Sequence, residues 1–196
     1  MKYDIRMPYI LKLNVVNSDL IPYYEEQIKK RRESAKTNKL MDSGFDLYCP
    51  EDIVFDYDSS FQKQHARTKL VDLGIRAAAY EVHNFNASQL NNLSVDLCRP
   101  YSLKCRSSIY KTNFRLSNCE GVIDAGYRGN LKVPVDWHML HSDANNEEDY
   151  KELFTMKKGA RYFQICMPTL EPFKVFLTKS LDETERGAGG FGSTGK

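Results

Sequence analysis

The sequence predicts a mainly β, single-domain protein built as an antiparallel sandwich, barrel or jelly roll. A chain of 196 residues and 22.6 kDa has the length of one domain with a full hydrophobic core. Its apolar residues form many short runs of strand composition that are separated by turn signals. Long helical patterns do not alternate with these runs, which argues against a doubly wound parallel sheet.

The first half of the chain contains several predicted strands and one predicted helix. Charged, helix-favouring residues fill 20–39, and Pro22 stands near the start of that stretch, where proline is tolerated. Gly74 divides an alternating run in two and marks a turn or a bulge. The predicted strands of this half are 9–16, 42–48, 53–57 and the two halves of 69–79.

The second half contains further strands and two polar stretches that resemble insertions. The predicted strands are 101–110, two runs within 121–135, 162–167 and 173–177. The acidic centre of the second polar stretch favours a short exposed helix. We therefore expect a β domain over residues 1–180, with insertions near 20–40, 80–100 and 140–158, and then a flexible arm over 181–196.

Charge and cysteine content narrow the class of protein. The 28 basic and 26 acidic residues leave a net charge of +2, so we expect no nucleic-acid partner. The five cysteines include no C-x-x-C pair, and no apolar leader or membrane-length run is present. We expect a soluble intracellular protein that binds no membrane, with cytoplasm and nucleus both open. The basic run 29–32 is either a solvated helix face or a localisation signal.

Two stretches combine charge with hydroxyl groups in a way that suits phosphate. Residues 186–196 contain five glycines, two hydroxyls and one large apolar side chain, Phe191, so this segment cannot bury itself and must close over something else. Arg106, Ser107 and Ser108 place a cation and two hydroxyls at the end of a predicted strand.

Asp124 is the strongest candidate for a catalytic carboxylate. It begins a turn between two strand-like runs, and a hairpin there would present its side chain to solvent or to a ligand. The alternative is that Asp124 only caps the turn through its own backbone, and Tyr127 in the same turn could equally be packing. The glycines at 121, 126 and 129 permit close approach of the backbone to a ligand.

Five segments, in order, resemble the five motifs of the trimeric dUTP diphosphatase (dUTPase) family. The third segment, 121–129, and the fifth, 186–195, are the most complete. The first, 42–48, resembles A-G-x-D-L with Ser43 in place of alanine, and the second, 105–109, resembles P-R-S-G-L with Cys105 and Ser108 in place of proline and glycine. The fourth, 159–165, resembles G-D-R-I-A-Q-L and is the most diverged.

The resemblance implies a dUTPase-like, jelly-roll-like β-barrel with one or two short helices in its insertions. It implies Mg²⁺-dependent hydrolysis of dUTP to dUMP and pyrophosphate, which keeps uracil out of DNA and supplies dUMP for thymidylate synthesis. It also implies a homotrimer whose sites are shared between chains, with the arm contributed across an interface.

The resemblance also implies roles for individual residues. Asp124 would orient and partly deprotonate the attacking water, Tyr127 would pack under the deoxyribose, and Phe191 would stack on the base. The Mg²⁺ would have no direct protein ligand, with Asp46 acting at most through a water. The implied phosphate-binding residues are Arg106, Ser107, Ser108, Gln164, Arg186, Gly192, Ser193 and Thr194. The implied base-binding residues are Asn118, Gly121, Val122, Ile123 and Lys132.

Two other functions compete with this one. The related dCTP deaminases share the fold but need a glutamate ten residues after the aspartate, where this chain has Pro134. The other is a non-catalytic, dUTPase-like module that binds nucleotide or a partner for regulation. Loss of Asp124 or of the arm would favour that module, and both are present.

Overall fold

The protein is mainly β, as predicted, with thirteen strands and one α-helix among its described residues. The computed structural model describes residues 7–38, 40–55, 67–82, 87–138 and 153–190. Its strands are β1 Tyr9–Val15, β2 Gly44–Tyr48, β3 Ile53–Val54, β4 Arg67–Asp72, β5 Ile75–Glu81, β6 Cys98–Arg99, β7 Tyr101–Cys105, β8 Phe114–Leu116, β9 Gly121–Ile123, β10 Lys132–Trp137, β11 Thr155–Met156, β12 Arg161–Cys166 and β13 Phe173–Leu177. The helix α1 covers Ile21–Thr37, and 3-10 turns cover Ser18–Leu20, Ala87–Asn92, Val95–Leu97 and Ser107–Lys111.

The strands form four sheets around a shared core in a jelly-roll-like arrangement. Their orders are β13-β1-β5-β6, β4-β10-β8, β11-β3 and β2-β12-β7-β9. Pairing is antiparallel throughout these sheets except between β1 and β13, which run parallel. Within the described ranges the sheets do not close into one continuous barrel, and this jelly-roll-like arrangement of packed sheets agrees with the predicted fold class.

Alternation of apolar and polar residues produces these strands. In β10, Val133, Val135 and Trp137 are buried while the residues between them are more exposed. Side chains in a strand point to opposite faces in turn, so this pattern gives each sheet one face for the core. The ring of Trp137 stacks on that of Phe154 with centroids 4.1 Å apart, which fastens β10 to the segment before β11.

Helix α1 packs against the sheets, and part of the basic run 29–32 lies on the side that faces them. Tyr24 and Ile28 are buried on its inner face. Arg31 donates hydrogen bonds to the carbonyls of Asp42, Gly44 and Phe173, so it fixes the helix to two strands. The predicted solvated face is therefore wrong at Arg31, whose pKa burial lowers. In the described part of the chain no helix is both long and apolar enough to span a membrane.

The structure differs from the sequence prediction at three places. The predicted hairpin around Asp124 is not a hairpin, because β9 pairs with β7 whereas β10 pairs with β4 and β8. The polar stretch 80–100 is not only a loop, since it carries two 3-10 turns and ends in β6. The predicted strand 101–110 stops at Cys105, where the 3-10 turn takes over. The short helix predicted in the second insertion lies outside the described residues.

Candidate active site

A cavity of about 210 Å³ opens beside the turn that follows β9. Its walls come from β9 itself, from the turn residues after it, from β10 and from the C-terminal segment. The lining residues are Leu103, Leu116, Asn118, Gly121, Val122, Ile123, Asp124, Tyr127, Lys132, Val133, Pro134, Arg186 and Gly190. All five base-binding candidates from the sequence are therefore in one place, together with Asp124 and Tyr127.

Strand β9 contributes main-chain groups to this cavity. It is the last strand of its sheet, hydrogen-bonded to β7 on one side, and its Val122 is 71% exposed. The outer edge of such a strand presents N–H and C=O groups that have no partner in the sheet. Gly121 lies close to β7, because a Cβ placed on it would come within 3.3 Å of the Leu103 side chain. The cavity thus has a wall of backbone donors and acceptors.

Asp124 is half-exposed in this cavity and forms an ion pair. Its Oδ2 lies 2.8 Å from Nη1 of Arg186, and the side chains of the two residues are 49% and 38% exposed. An ion pair between side chains this exposed contributes little free energy, so either group can leave its partner for a ligand at small cost. The pair therefore places an anion-binding group and a carboxylate at the mouth of the same cavity.

Tyr127 is held in one position as a wall of the cavity. Its hydroxyl donates to the carbonyl of Asn130 at 2.7 Å, and burial raises its pKa. Gly129 and Gly190 both approach the ring closely, and a Cβ on Gly129 would come within 2.5 Å of the hydroxyl oxygen. These glycines leave the space that the ring occupies.

Arg128 fastens the turn from below, a role that the sequence reasoning missed. Its side chain is 7% exposed and lies 3.1 Å from the carboxylate of Asp182. It also donates to the carbonyls of Ala125 and Tyr127 and to the sulfur of Cys98. Nothing in the local sequence separates this arginine from an exposed turn residue, because its partners lie at distant positions in the chain.

The described part of the arm packs on the same turn of its own chain. Thr184 donates a hydrogen bond to the carbonyl of Gly126, and the Arg128 amide donates to the carbonyl of Gly187 at 2.7 Å. Gly187 has a φ of 52°, a left-handed conformation that suits glycine. Phe191, Gly192, Ser193 and Thr194 lie outside the described residues.

A second cluster of candidate residues forms around Asp46. Its two carboxylate oxygens accept from Arg106 Nε at 2.6 Å and from Arg161 Nη1 at 3.0 Å. Arg106 also donates to the hydroxyl of Ser108, and Gln164 donates to the carbonyl of Cys105. Ser107 is exposed at the start of the adjacent 3-10 turn. The first, second and fourth motif segments thus meet at one cationic surface.

Comparison with known proteins decides the family. The family model for dUTPase matches residues 91–195, more than half of the chain. The chain belongs to the dUTPase family. It is 30% identical over 187 residues to the deoxyuridine 5'-triphosphate nucleotidohydrolase of Nautilia profundicola, covering 95% of this chain and 99% of that protein. The enzyme of the same name from Clostridioides difficile is 28% identical over 175 residues, covering 88% and 99%.

Solved structures of dUTPases also match. A mutant dUTPase of Staphylococcus bacteriophage 80alpha with dUpNHpp is 16% identical, has a TM-score of 0.44, and is matched over 95% of this chain and 98% of that one.

The two clusters of this dUTPase-family chain stand apart. In the pairing of β7 with β9, Tyr101 lies opposite Ile123, so Asp124 lies beyond the start of β7 while Arg106 follows its end. At about 3.3 Å per residue, that separation is roughly 20 Å along the strand. Groups that act on neighbouring phosphorus atoms must lie much closer than this. One chain of this family member therefore does not unite both clusters around one scissile bond.

The described residues of this dUTPase-family chain contain no protein cage for a metal. Among the described residues, no group of three or more His, Cys, Asp or Glu side chains is arranged to hold an ion. Asp46 is already bound by two arginines. A divalent ion carried mainly by the substrate's phosphates and by water fits this arrangement, as is common for Mg²⁺.

Proposed function

We propose that this chain hydrolyses dUTP to dUMP and pyrophosphate, with Mg²⁺, by attack of water on the α-phosphorus. The observation that carries the proposal is the position of Asp124, a half-exposed carboxylate at the mouth of a cavity lined by edge-strand backbone and Tyr127. Membership of the dUTPase family supports it. The product would serve thymidylate synthesis, and its formation would keep uracil out of DNA.

The backbone edge of β9 supports selection of uracil. Uracil presents acceptor, donor and acceptor along its pairing edge, whereas cytosine presents two acceptors and a donor. A fixed set of backbone and Asn118 groups that pairs with uracil would leave buried polar groups unpaired when cytosine is bound. Unpaired buried polar groups carry a large free-energy penalty. Lys132 lies in the same wall. Pro134 lines the cavity where a deaminase would need its glutamate, so hydrolysis is favoured over deamination.

Selection of deoxyribose would come from Tyr127. The ring is locked by its hydrogen bond to Asn130 and by contact with Gly129, so it cannot withdraw to admit a 2′-hydroxyl. A rigid wall discriminates better than a mobile one, because binding of a ribonucleotide would have to displace the Tyr127 ring at a cost in free energy.

Asp124 would act on the water. Aspartate is a weak base, so orienting the water in line with the phosphorus contributes more than removing its proton. Arg186 would leave the carboxylate for the phosphate oxygens, and charge-assisted bonds from Arg106 and Ser107 would stabilise charge on the leaving pyrophosphate.

The separation of the two clusters supports a shared site. Because Asp124 and Arg106 lie roughly 20 Å apart along β7, at about 3.3 Å per residue, a second copy of the chain would have to supply the Arg106 cluster. A homotrimer with three such sites satisfies this requirement symmetrically.

Mg²⁺ would be bound by the triphosphate, with Asp46 reaching it at most through a water. When bound, the ion supplies charge neutralisation on the phosphate oxygens. The residues of this chain would contribute the position of the water and of the phosphate chain.

Incubation with each deoxynucleoside triphosphate and Mg²⁺ tests the proposal, with pyrophosphate and ammonia measured separately. We expect pyrophosphate from dUTP alone, and no ammonia from dCTP. Absence of pyrophosphate from dUTP would overturn the proposal, and binding of dUTP without turnover would favour a regulatory, non-catalytic module.

A further inference from the structure

The strand pair formed by β7 and β9 ends at two free cysteines. Cys105 is the last residue of β7, and Cys119 lies in the turn that leads into β9. We propose that these two cysteines form a reversible disulfide within one chain, which is a redox modification site at the edge of the cavity beside Asp124. Formation of the bond is independent of the proposed function, because it depends only on where the two thiols lie.

The register of β7 and β9 places the two cysteines opposite each other. The last backbone pair of these antiparallel strands joins Leu103 to Gly121. One step further, Nζ of Lys104 lies 2.7 Å from Oε1 of Glu120, so opposite side chains still meet there. One more step in the same register puts residue 105 opposite residue 119. Opposite residues have Cα atoms about 4.5–5.5 Å apart, within the range of about 4.4–6.8 Å that a disulfide spans.

The backbone of Leu116 connects the two cysteines independently of the register. Its carbonyl accepts a hydrogen bond from the Cys119 amide at 3.1 Å. Burial raises the pKa of the Cys105 thiol, and a hydrogen bond with the backbone of Leu116 partly opposes that shift. The Cys119 thiol is itself close enough to act on the charge of Cys105. Both cysteines therefore contact the same residue, in agreement with the strand register.

The two thiols differ in exposure, which gives the oxidation an order. Cys119 is exposed, whereas Cys105 is partly buried. Thiol–disulfide exchange requires that the oxidant reach the thiolate, so Cys119 reacts first and Cys105 second. The other three cysteines of the chain, Cys49, Cys98 and Cys166, are buried and less accessible to an oxidant.

The oxidant is glutathione disulfide. The Cys119 thiolate attacks one of its sulfurs, forms a mixed disulfide and releases the other glutathione as a thiol. The Cys105 thiolate then attacks the Cys119 sulfur, and the second glutathione leaves. Two protein thiols are thereby oxidised to one disulfide, one glutathione disulfide is reduced to two glutathione thiols, and two hydrogen atoms pass from the cysteines to glutathione.

The bond closes a loop that carries parts of both candidate clusters. Arg106 follows Cys105 directly, and Asn118, which lines the cavity, directly precedes Cys119. To form the bond, the exposed side chain of Cys119 has to turn toward β7, and this shifts Asn118. Resting on the proposed function, oxidation therefore weakens binding of the base while Asp124, on the far side of β9, keeps its position.

Oxidation of the full-length protein with glutathione disulfide tests the modification site. Remaining thiols are blocked with N-ethylmaleimide, and the denatured protein is digested with trypsin without reductant. Trypsin cleaves after Lys104, Arg106 and Arg115, so a linked pair of peptides 105–106 and 116–128 identifies the bond. We expect an intact chain two hydrogen atoms lighter than the reduced form, and dithiothreitol should restore the reduced mass.

Serine variants separate the two chemical steps. Cys105→Ser should retain one glutathione on Cys119, and Cys119→Ser should remain reduced at position 105. Cys166→Ser removes a buried thiol outside the pair and should form the bond as the wild-type protein does. Glutathione that stays on Cys119 of the wild-type chain would overturn the proposal, and so would a link from Cys119 to any cysteine other than Cys105 of the same chain.

Kinetics with dUTP test the link to the base cavity. The KM of the oxidised protein should rise about fivefold, roughly the loss of one hydrogen bond, with kcat little changed, and dithiothreitol should reverse the rise. Cys119→Ser treated in the same way should keep its KM. An unchanged KM in protein whose disulfide has been mapped would overturn the link. If dUTP is not hydrolysed at all, the proposed function fails, and the peptide map still decides whether the bond forms.

Discussion

The guanidinium of Arg128 lies 3.1 Å from the carboxylate of Asp182 and so joins the turn that carries Asp124 to the base of the arm. The two residues are 54 positions apart in sequence. Because the same guanidinium also bonds two carbonyls of the turn, one buried cation holds the shape of the turn and the position of the arm together.

Arg128→Met should lower the free energy of unfolding by about 2 kcal/mol, since it leaves the partly buried carboxylate of Asp182 without its cation. Urea unfolding, followed through the fluorescence of the chain's single tryptophan, Trp137, measures the loss. Lys104→Met is the matched control, because its pair with Glu120 is exposed and should be worth less than about 1 kcal/mol. Equal losses in both variants would contradict a structural role for the Arg128 pair.

The same carboxylate predicts a dependence of stability on pH. Burial alone would raise the pKa of Asp182, but the hydrogen bonds from Tyr80 and Arg128 outweigh it and lower the pKa below its ordinary value of 3.8. A depressed pKa in the folded state stabilises the protein above the unfolded-state value, and this contribution is lost as pH falls through the folded-state pKa.

Asp182→Asn should therefore destabilise the protein at pH 6 and progressively less as the pH falls below about 4. Unfolding free energies of both proteins between pH 3 and pH 6 give the difference. A difference that does not change over this range would show that Asp182 keeps an ordinary pKa.

The sequence predicted those parts of the fold that depend on the residues of one short segment. Alternation located β1, β2, β12 and β13 to within a few residues, because a strand with one buried face must alternate. Pairing is not local, and this is why β9 and β10, adjacent in sequence and joined by a glycine-rich turn, were wrongly expected to form a hairpin.

The candidate site likewise contains residues that the sequence predicted and residues that it did not. The residues of the Asp124 cavity were identified because they are close together in sequence and resemble a family motif. Arg128 was missed since its partners Cys98 and Asp182 come from two distant segments. Likewise, the glycine content predicted that the arm must close over something, but only the contacts of Asp182 and Thr184 show that its described part lies against the turn after β9.

Asp124→Asn should reduce turnover of dUTP by about 1,000-fold, because an amide cannot take a proton from water or attract it in the same way. Binding of dUTP, measured by calorimetry, should persist. Glu171→Gln removes one exposed carboxylate at a site without a proposed role and should keep full turnover. Equal activity in the two variants would remove Asp124 from the mechanism.

Arg106→Lys tests the phosphate cluster while keeping its charge. Arginine bonds Asp46, Ser108 and the carbonyl of Arg161 at once, which the single ammonium of lysine cannot do. Loss of this orientation should cost about 2.7 kcal/mol, or roughly 100-fold in kcat/KM for dUTP. Lys111→Arg, at the exposed end of the same 3-10 turn, is the control and should keep the wild-type value. Unchanged kcat/KM in Arg106→Lys would show that charge alone suffices.

Gly129→Ala tests whether the fixed ring of Tyr127 selects against ribose. The added methyl group would come within 2.5 Å of the Tyr127 hydroxyl oxygen, so the ring must shift and open space beside the sugar. The ratio of kcat/KM for dUTP to that for UTP should fall about tenfold. Gly126→Ala is the matched control, because its methyl group would meet the nearest atom at 3.4 Å, an ordinary contact, and should leave the ratio unchanged. If Gly129→Ala also keeps the ratio, then discrimination against ribose does not depend on the position of this ring.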